Sequence, residues 1–244
     1  MTDKLQQITR ELKEFFDAEF HTDFFTIIYG SYAYGVNTSD SDLDLVTISR
    51  QVTQDNRTNT LDFLFDMYTR YGLAVDDEVP HERKLLADYQ TLDDAINGSG
   101  FERKDGRMYV PPVVKTKEFL HSNEIVMRLL VNALTGKNIL VTGDREYYAD
   151  RRKRAVENMI GFMFSIEGVE SFTIPDFVRS LIGTPERHGE MYLGYKDMPA
   201  VRAYLAETFG AAFLGLIQTG ILTHDTTAGI FHVRNPSWLG KVVG

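Results

Sequence analysis

The sequence predicts an α+β fold: an α/β first part over residues 1–115 and a mainly helical second part over residues 116–244. Three observations carry the prediction. Two apolar runs of strand length, Phe24–Tyr29 and Leu43–Ile48, flank a polar turn that contains glycine. Segments with helical periodicity stand on either side of that pair. Pro111-Pro112 then breaks the chain, and from Thr116 the apolar residues recur mostly at helical spacing.

The chain opens with Leu5, Ile8, Leu12, Phe15, Phe16 and Phe20 on one helical face, with Thr2 or Asp3 able to cap its start. That aromatic stripe is expected in the core. The first strand, Phe24–Tyr29, runs into a Gly-Ser turn and a short helix, whose Tyr32 and Tyr34 are expected to pack beneath the turn. A second strand covers Leu43–Ile48, and the polar stretch Gln51–Asn59 reads as a loop. Leu61, Leu64, Phe65 and Tyr68 mark a helix that Gly72 ends. Read as a strand, Leu73–Val79 puts Leu73, Val75, Asp77 and Val79 on one face, and Ala74, Asp76 and Glu78 on the other. Leu85, Tyr89, Leu92 and Ile96 suggest a further helix closed by Asn97-Gly98. Asp105-Gly106 between two short runs is a two-residue hairpin signal.

In the second part, Ile125, Val126, Leu129, Leu130 and Ala133 form a stripe that stops at Gly136. Asn138–Thr142 is a short apolar run, a strand or an extended linker. Asp144 starts a helix with Met159, Ile160 and Met163 on its apolar side, and another helical segment follows Pro175. A long helix is expected over Pro199–Gln218, and the tail from Thr223, which holds the single tryptophan Trp238, reads as irregular.

Composition narrows the function classes. The 244 residues include no cysteine, which excludes a disulfide framework, a thiolate metal site and a cysteine nucleophile. No signal region follows Met1, and no apolar run is expected to span a bilayer, so the expectation is a cytoplasmic protein without a membrane partner. The net charge of −9 argues against broad electrostatic binding of nucleic acid.

The chemistry concentrates in Tyr29–Leu45. Gly30 after a strand lets the backbone turn sharply and approach a ligand. If Ser31 starts a short helix, its hydroxyl and the free N–H groups there can bind phosphate oxygens. Asp42 and Asp44 stand two apart on a strand-like run, so their carboxylates point the same way. Two hard oxygen donors on one face suit Mg2+. A polar turn with Asp40 and Asp42 capping or solvated would contain the same residue types. The combination, correctly spaced between two strands, is the specific signal.

These residues resemble the nucleotidyltransferase superfamily that includes DNA polymerase β and the kanamycin and lincosamide nucleotidyltransferases. Its pattern is an apolar strand, Gly-Ser, about ten residues, then Asp-x-Asp in a second apolar strand. Gly30, Ser31, Asp42 and Asp44 match it, and Ser41 matches the serine that frequently precedes the pair. The resemblance implies a mixed sheet and a nucleoside triphosphate donor, with ATP expected, held at Gly30, Ser31 and Ser41. It also implies two Mg2+ ions, and a third carboxylate from a strand beside the Asp-x-Asp strand. Asp76 is the expected third ligand, with Glu78 the alternate. The expected reaction moves NMP, here AMP, to the hydroxyl of a small aminoglycoside-like acceptor. The alternatives are a tRNA 3′ end, a protein hydroxyl as in toxin–antitoxin systems, or a nucleotide-binding module without catalysis.

Two other features are weighed alongside. Arg151-Arg152-Lys153-Arg154 could meet a triphosphate or RNA, but four consecutive charges go round a helix, which favours a solvated surface. His121 and Glu124 stand one helical turn apart. Glu124 is a candidate general base, and an exposed surface pair is the competing reading.

Overall fold

The computed structural model describes residues 3–74, 86–100, 102–104, 107–109, 123–167, 170–182 and 195–234. Its centre is a four-stranded sheet in the order β3-β2-β1-β6, with β1 at Phe24–Ile28, β2 at Leu45–Ser49, β3 at Leu86–Asp88 and β6 at Ile139–Gly143. β1 runs antiparallel to both β2 and β6, and β2 runs parallel to β3, so the sheet is mixed as expected. All residues of β1 and β2 are buried, which is why both strands read as continuous apolar runs rather than alternating ones. Two of the three polar exceptions sit opposite each other: the hydroxyls of Thr26 and Thr47 are 2.9 Å apart and satisfy one another inside the core, while the third, Ser49, ends β2.

One face of the sheet is covered by α1 (Asp3–Phe20) and α3 (Gln54–Tyr71). Leu5, Ile8, Leu12 and Phe16 of α1 pack there with Phe24, Ile28, Leu45, Leu64 and Met67. Phe15 stacks on Phe63 at 4.0 Å between ring centroids, tying the two helices together. α3 begins within the stretch expected to be a loop. Thr53 and Asn56 form a reciprocal capping box, with Thr53 N–H donating to the Asn56 side chain at 2.9 Å and Asn56 N–H to Thr53 Oγ1 at 3.1 Å. The first turns of α3 are polar because they face water, and this hides the helix from an apolar-periodicity reading. Gly72 ends it with φ 56°, as expected.

The helix expected over Leu85–Ile96 divides. Leu86–Asp88 is β3, and α4 runs over Tyr89–Ile96. Asp88 is the switch point, since its carboxylate accepts the Thr91 N–H at 2.7 Å and caps α4. β4 (Glu102–Lys104) and β5 (Arg107–Tyr109) pair antiparallel on either side of Asp105-Gly106, the expected hairpin.

The other face carries the larger core. Phe25, Ile27, Val46 and Ile48 meet α4, α5 (Asn123–Thr135), α6 (Arg145–Glu167), α7 (Ile174–Ile182) and α8 (Pro199–Gln218) in one continuous cluster. Asp144 starts α6 by accepting the N–H groups of Glu146 and Tyr147 at 3.0 and 2.9 Å. The expected boundary at residue 115 is therefore crossed by both the sheet and the core: β6 lies beyond it and forms the edge beside β1.

Two further expectations are corrected. The tail is not irregular throughout: β8 (Leu222–Asp225) and β9 (Ile230–Val233) form a hairpin that joins β7 (Ser171–Phe172) in the order β7-β9-β8. Asp225 closes its turn by accepting the Thr227 and Ala228 N–H groups at 2.9 and 3.1 Å. α8 is, by length and composition, long and apolar enough to cross a membrane, which the sequence reading did not expect of any run. In this fold Val201, Leu205, Phe209, Phe213 and Leu216 of α8 are buried in the core.

Candidate active site

The site is built where β1 ends and β2 begins. Tyr29 leaves β1 with its N–H donating to the Asp44 carbonyl at 3.0 Å, so the two strands are still paired at the turn. Gly30 then adopts φ +67°, and the chain coils into α2 (Gly30–Tyr34). Gly35, at φ 73°, ends α2. Ser31 is buried at 9 % exposure. A Cβ on Gly30 would stand 1.9 Å from Asp44 Oδ2, so the Asp44 carboxylate occupies the space that the glycine leaves.

Asp42 and Asp44 precede β2 rather than lying within it. Leu43 between them is buried, and its carbonyl accepts the Tyr68 hydroxyl at 3.1 Å from α3. Both aspartates are partly exposed. This alternation sends the apolar residue inward and leaves the acids toward the turn. Asp42 also pairs with Ala74 in a parallel bridge. Ser41 ties the approach to the pair: its hydroxyl accepts the Thr38 N–H at 2.9 Å, and its own N–H donates to the Thr38 carbonyl at 3.3 Å.

The two tyrosines of α2 take opposite sides. Tyr32 packs into the α1–α3 core, and its hydroxyl pKa is raised, by burial first and by the charge of Asp42 second. Tyr34 packs toward the helices of the other layer. Both thus support the turn, as expected.

Asp76 and Glu78 lie outside the described residues, as does His121; of Glu124 only the backbone, in the first turn of α5, is described. Among the described residues no group of three or more His, Asp and Glu side chains is placed to hold a metal ion. The chemistry of the described donors fits Mg2+: Asp42 and Asp44 are hard oxygen donors, and the Asp44 carboxylate lies against the glycine turn.

The basic run is not a solvated patch as a whole. Arg151 pairs with Asp93 at 2.9 Å and lies over the Tyr147 ring, and Arg152 donates to the Leu134 carbonyl at 3.2 Å and to the Tyr204 hydroxyl. Arg154 faces Asp93 at 3.7 Å, and Lys153 alone is highly exposed, at 74 %. Sequence reading also missed Arg128, a cation buried within the apolar stripe of α5, whose Nε donates to the Gly100 carbonyl at 2.9 Å. Its one visible signal is a charge at a position flanked by Ile125, Val126, Leu129 and Leu130.

A mixed sheet with a glycine turn against the Asp44 carboxylate is the arrangement expected of a nucleotidyl-transferring enzyme. Residues 6–128, just over half of the chain, match the nucleotidyltransferase domain family, and the protein belongs to it. Among curated proteins, none matches the chain. Membership establishes a transferase that uses a nucleoside triphosphate as donor.

Proposed function

We propose that the protein transfers AMP from ATP to a hydroxyl of a small, amino-sugar-like acceptor, with Mg2+ held by Asp42 and Asp44. One observation carries the reading: the Asp44 carboxylate lies against Gly30, which brings an acidic pair and a glycine turn to one point. Gly30, without a Cβ, lets the main chain approach the donor phosphates, and Ser31 offers a hydroxyl beside it. Ser41 holds the turn that aims the pair. Asp76, with Glu78 as alternate, supplies the third carboxylate, for a second ion. Mg2+ held by these carboxylates would supply charge neutralisation at the phosphates and would lower the pKa of the attacking hydroxyl. The acceptor oxygen attacks the α-phosphorus in line and gives up its proton to solvent water. The bond from the α-phosphorus to the bridging oxygen breaks, and pyrophosphate leaves with that electron pair.

The acceptor class rests on charge. A chain of net charge −9 suits a cationic acceptor better than a polyanion. The test is transfer of label from α-labelled ATP to a panel of aminoglycosides, to purified tRNA and to total protein, at low and moderate salt. An adenylylated amino sugar establishes the reading. Label found in tRNA or protein alone overturns the small-molecule acceptor.

A further inference from the structure

α2 is five residues long, and its N-cap residue, Tyr29, makes no side-chain capping hydrogen bond. So short a helix does not hold its own orientation, and tertiary contacts must set it. Tyr34 supplies them. Its hydroxyl accepts the Lys137 N–H at 3.1 Å, just past the end of α5. Its ring stands edge-on to Tyr204 of α8, with centroids 5.7 Å apart and planes at 88°.

The contact is braced from behind. A Cβ at Gly136 would lie 2.9 Å from the Asn132 carbonyl oxygen, 3.3 Å from the Tyr195 ring and 3.4 Å from the Tyr34 hydroxyl, so the chain leaving α5 is closely packed beside Tyr34. Arg152 of α6 holds the Tyr204 hydroxyl and the Leu134 carbonyl together. The Asn138 side chain donates to the Ala133 carbonyl at 2.7 Å and accepts from Tyr148. Burial pushes the Tyr34 hydroxyl up to about 12, so it stays neutral and its hydrogen bond does not titrate near neutral pH. Lys137, just past α5, and Tyr204 of α8 thus meet Tyr34 directly, and Arg152 of α6 reaches it through Tyr204.

We infer that Tyr34 is a positioning residue: through Lys137 and Tyr204, the helical layer sets the angle of α2 and so places Ser31 relative to Asp42 and Asp44. This rests on the reading of Gly30, Ser31 and the aspartate pair as the donor site. It assigns a role in donor binding to Tyr204, a residue far along the chain from the motif and beyond the stretch that matches the family.

The test is equilibrium titration of the full chain with fluorescent ATP and GTP analogues in Mg2+, below the melting temperature of each variant. Tyr34→Ala and Tyr204→Ala are expected to weaken binding about tenfold, the scale of a lost support to a ligand-holding group. Tyr204→Phe keeps the ring and is expected to restore affinity to within about twofold of wild type, which loss of fold stability alone would not predict. Tyr34→Phe, which removes only the oxygen that accepts the Lys137 N–H, is the milder second variant, expected to weaken binding about threefold. Leu214→Ala, on the exposed side of α8, is expected to change nothing. Wild-type affinity in Tyr34→Ala and Tyr204→Ala, with binding lost in Gly30→Val, overturns the role of Tyr34 and leaves the donor site standing. Failure of Tyr204→Phe to restore affinity also overturns it. If wild type binds neither analogue, or Gly30→Val binds as wild type, the donor-site reading fails and this inference with it.

Discussion

Asp44 Oδ2 lies 1.9 Å from where a Cβ on Gly30 would be. The glycine and the acid are thus a matched pair, in which the missing side chain makes room for the carboxylate. The positive φ of Gly30 and the backbone bond from Tyr29 to Asp44 hold the two strands in the register that creates this contact.

Gly30→Ala should therefore displace Asp44 and lower transfer by about a hundredfold, as expected when a reacting group moves by an ångström. Gly35→Ala is the control. Gly35 also has positive φ, 73°, but nothing lies within 4 Å of its would-be Cβ. That substitution should cost about 1 kcal/mol of backbone strain while leaving transfer close to wild type. Steady-state rates and melting temperatures for both variants check the contrast.

Asp42→Asn and Asp44→Asn should each lower transfer by about a thousandfold, because each removes charge where phosphate charge must be balanced. Both residues are partly exposed, so neither change leaves a core cavity, and circular dichroism should match wild type. Near wild-type rates at saturating Mg2+ would refute the assignment.

The bridge between Ala74 and Asp42 brings the chain entering the acidic run beside the aspartate pair. Asp76→Ala is expected to cost far more activity than Asp77→Ala, since neighbouring residues of an alternating strand would face opposite ways. Glu78→Ala should fall between them. Equal, mild effects for the three would remove this run from the site.

A fragment of residues 1–115 should not fold. It lacks β6, leaving an edge of β1 unpaired, and it lacks the helices that cover Phe25, Ile27, Val46 and Ile48. An aggregating or unfolded fragment by size-exclusion chromatography and circular dichroism is the expected outcome. A monomeric, cooperatively melting fragment would show that the first part needs neither.

Glu11 links α1 to α3 through Arg70, at 2.8 Å, and the Tyr71 hydroxyl. Hydrogen bonds from Arg70, then Tyr71, hold its carboxyl below the ordinary value of 4.5. An acid with a depressed folded pKa stabilises the protein above its unfolded pKa and loses that contribution as pH falls through the folded value. Wild type should thus melt slightly above Glu11→Gln at pH 6. The gap should narrow below about pH 4.5 and close at more acidic pH. The difference is small because the pair is solvent-screened. A gap that does not change with pH would rule the link out.

What could be read directly from the chain is what local chemistry decides. The Gly-Ser turn, the alternation around Leu43, the cap at Asp144 and the stripe of α8 depend on residues within a few positions of one another, so spacing alone exposes them. The mixed sheet and the nucleotidyltransferase class followed from the resemblance those same few residues carry. Features set by distant partners were not legible. β6 looks like any short apolar run until it pairs with β1, more than a hundred residues earlier. Leu86–Asp88 shares its apolar spacing with a helix, and only the open edge of β2 draws it into the sheet. Arg152 reads as part of a solvated basic run and Arg128 gives no signal beyond a charge in an apolar stripe, yet the Leu134 carbonyl takes the first and the Gly100 carbonyl receives the second in the interior. Tyr34 meets Lys137 and Tyr204 by folding alone. A local pattern says which way a side chain points, but its partner across the fold is chosen by burial and hydrogen bonding that no window of sequence contains.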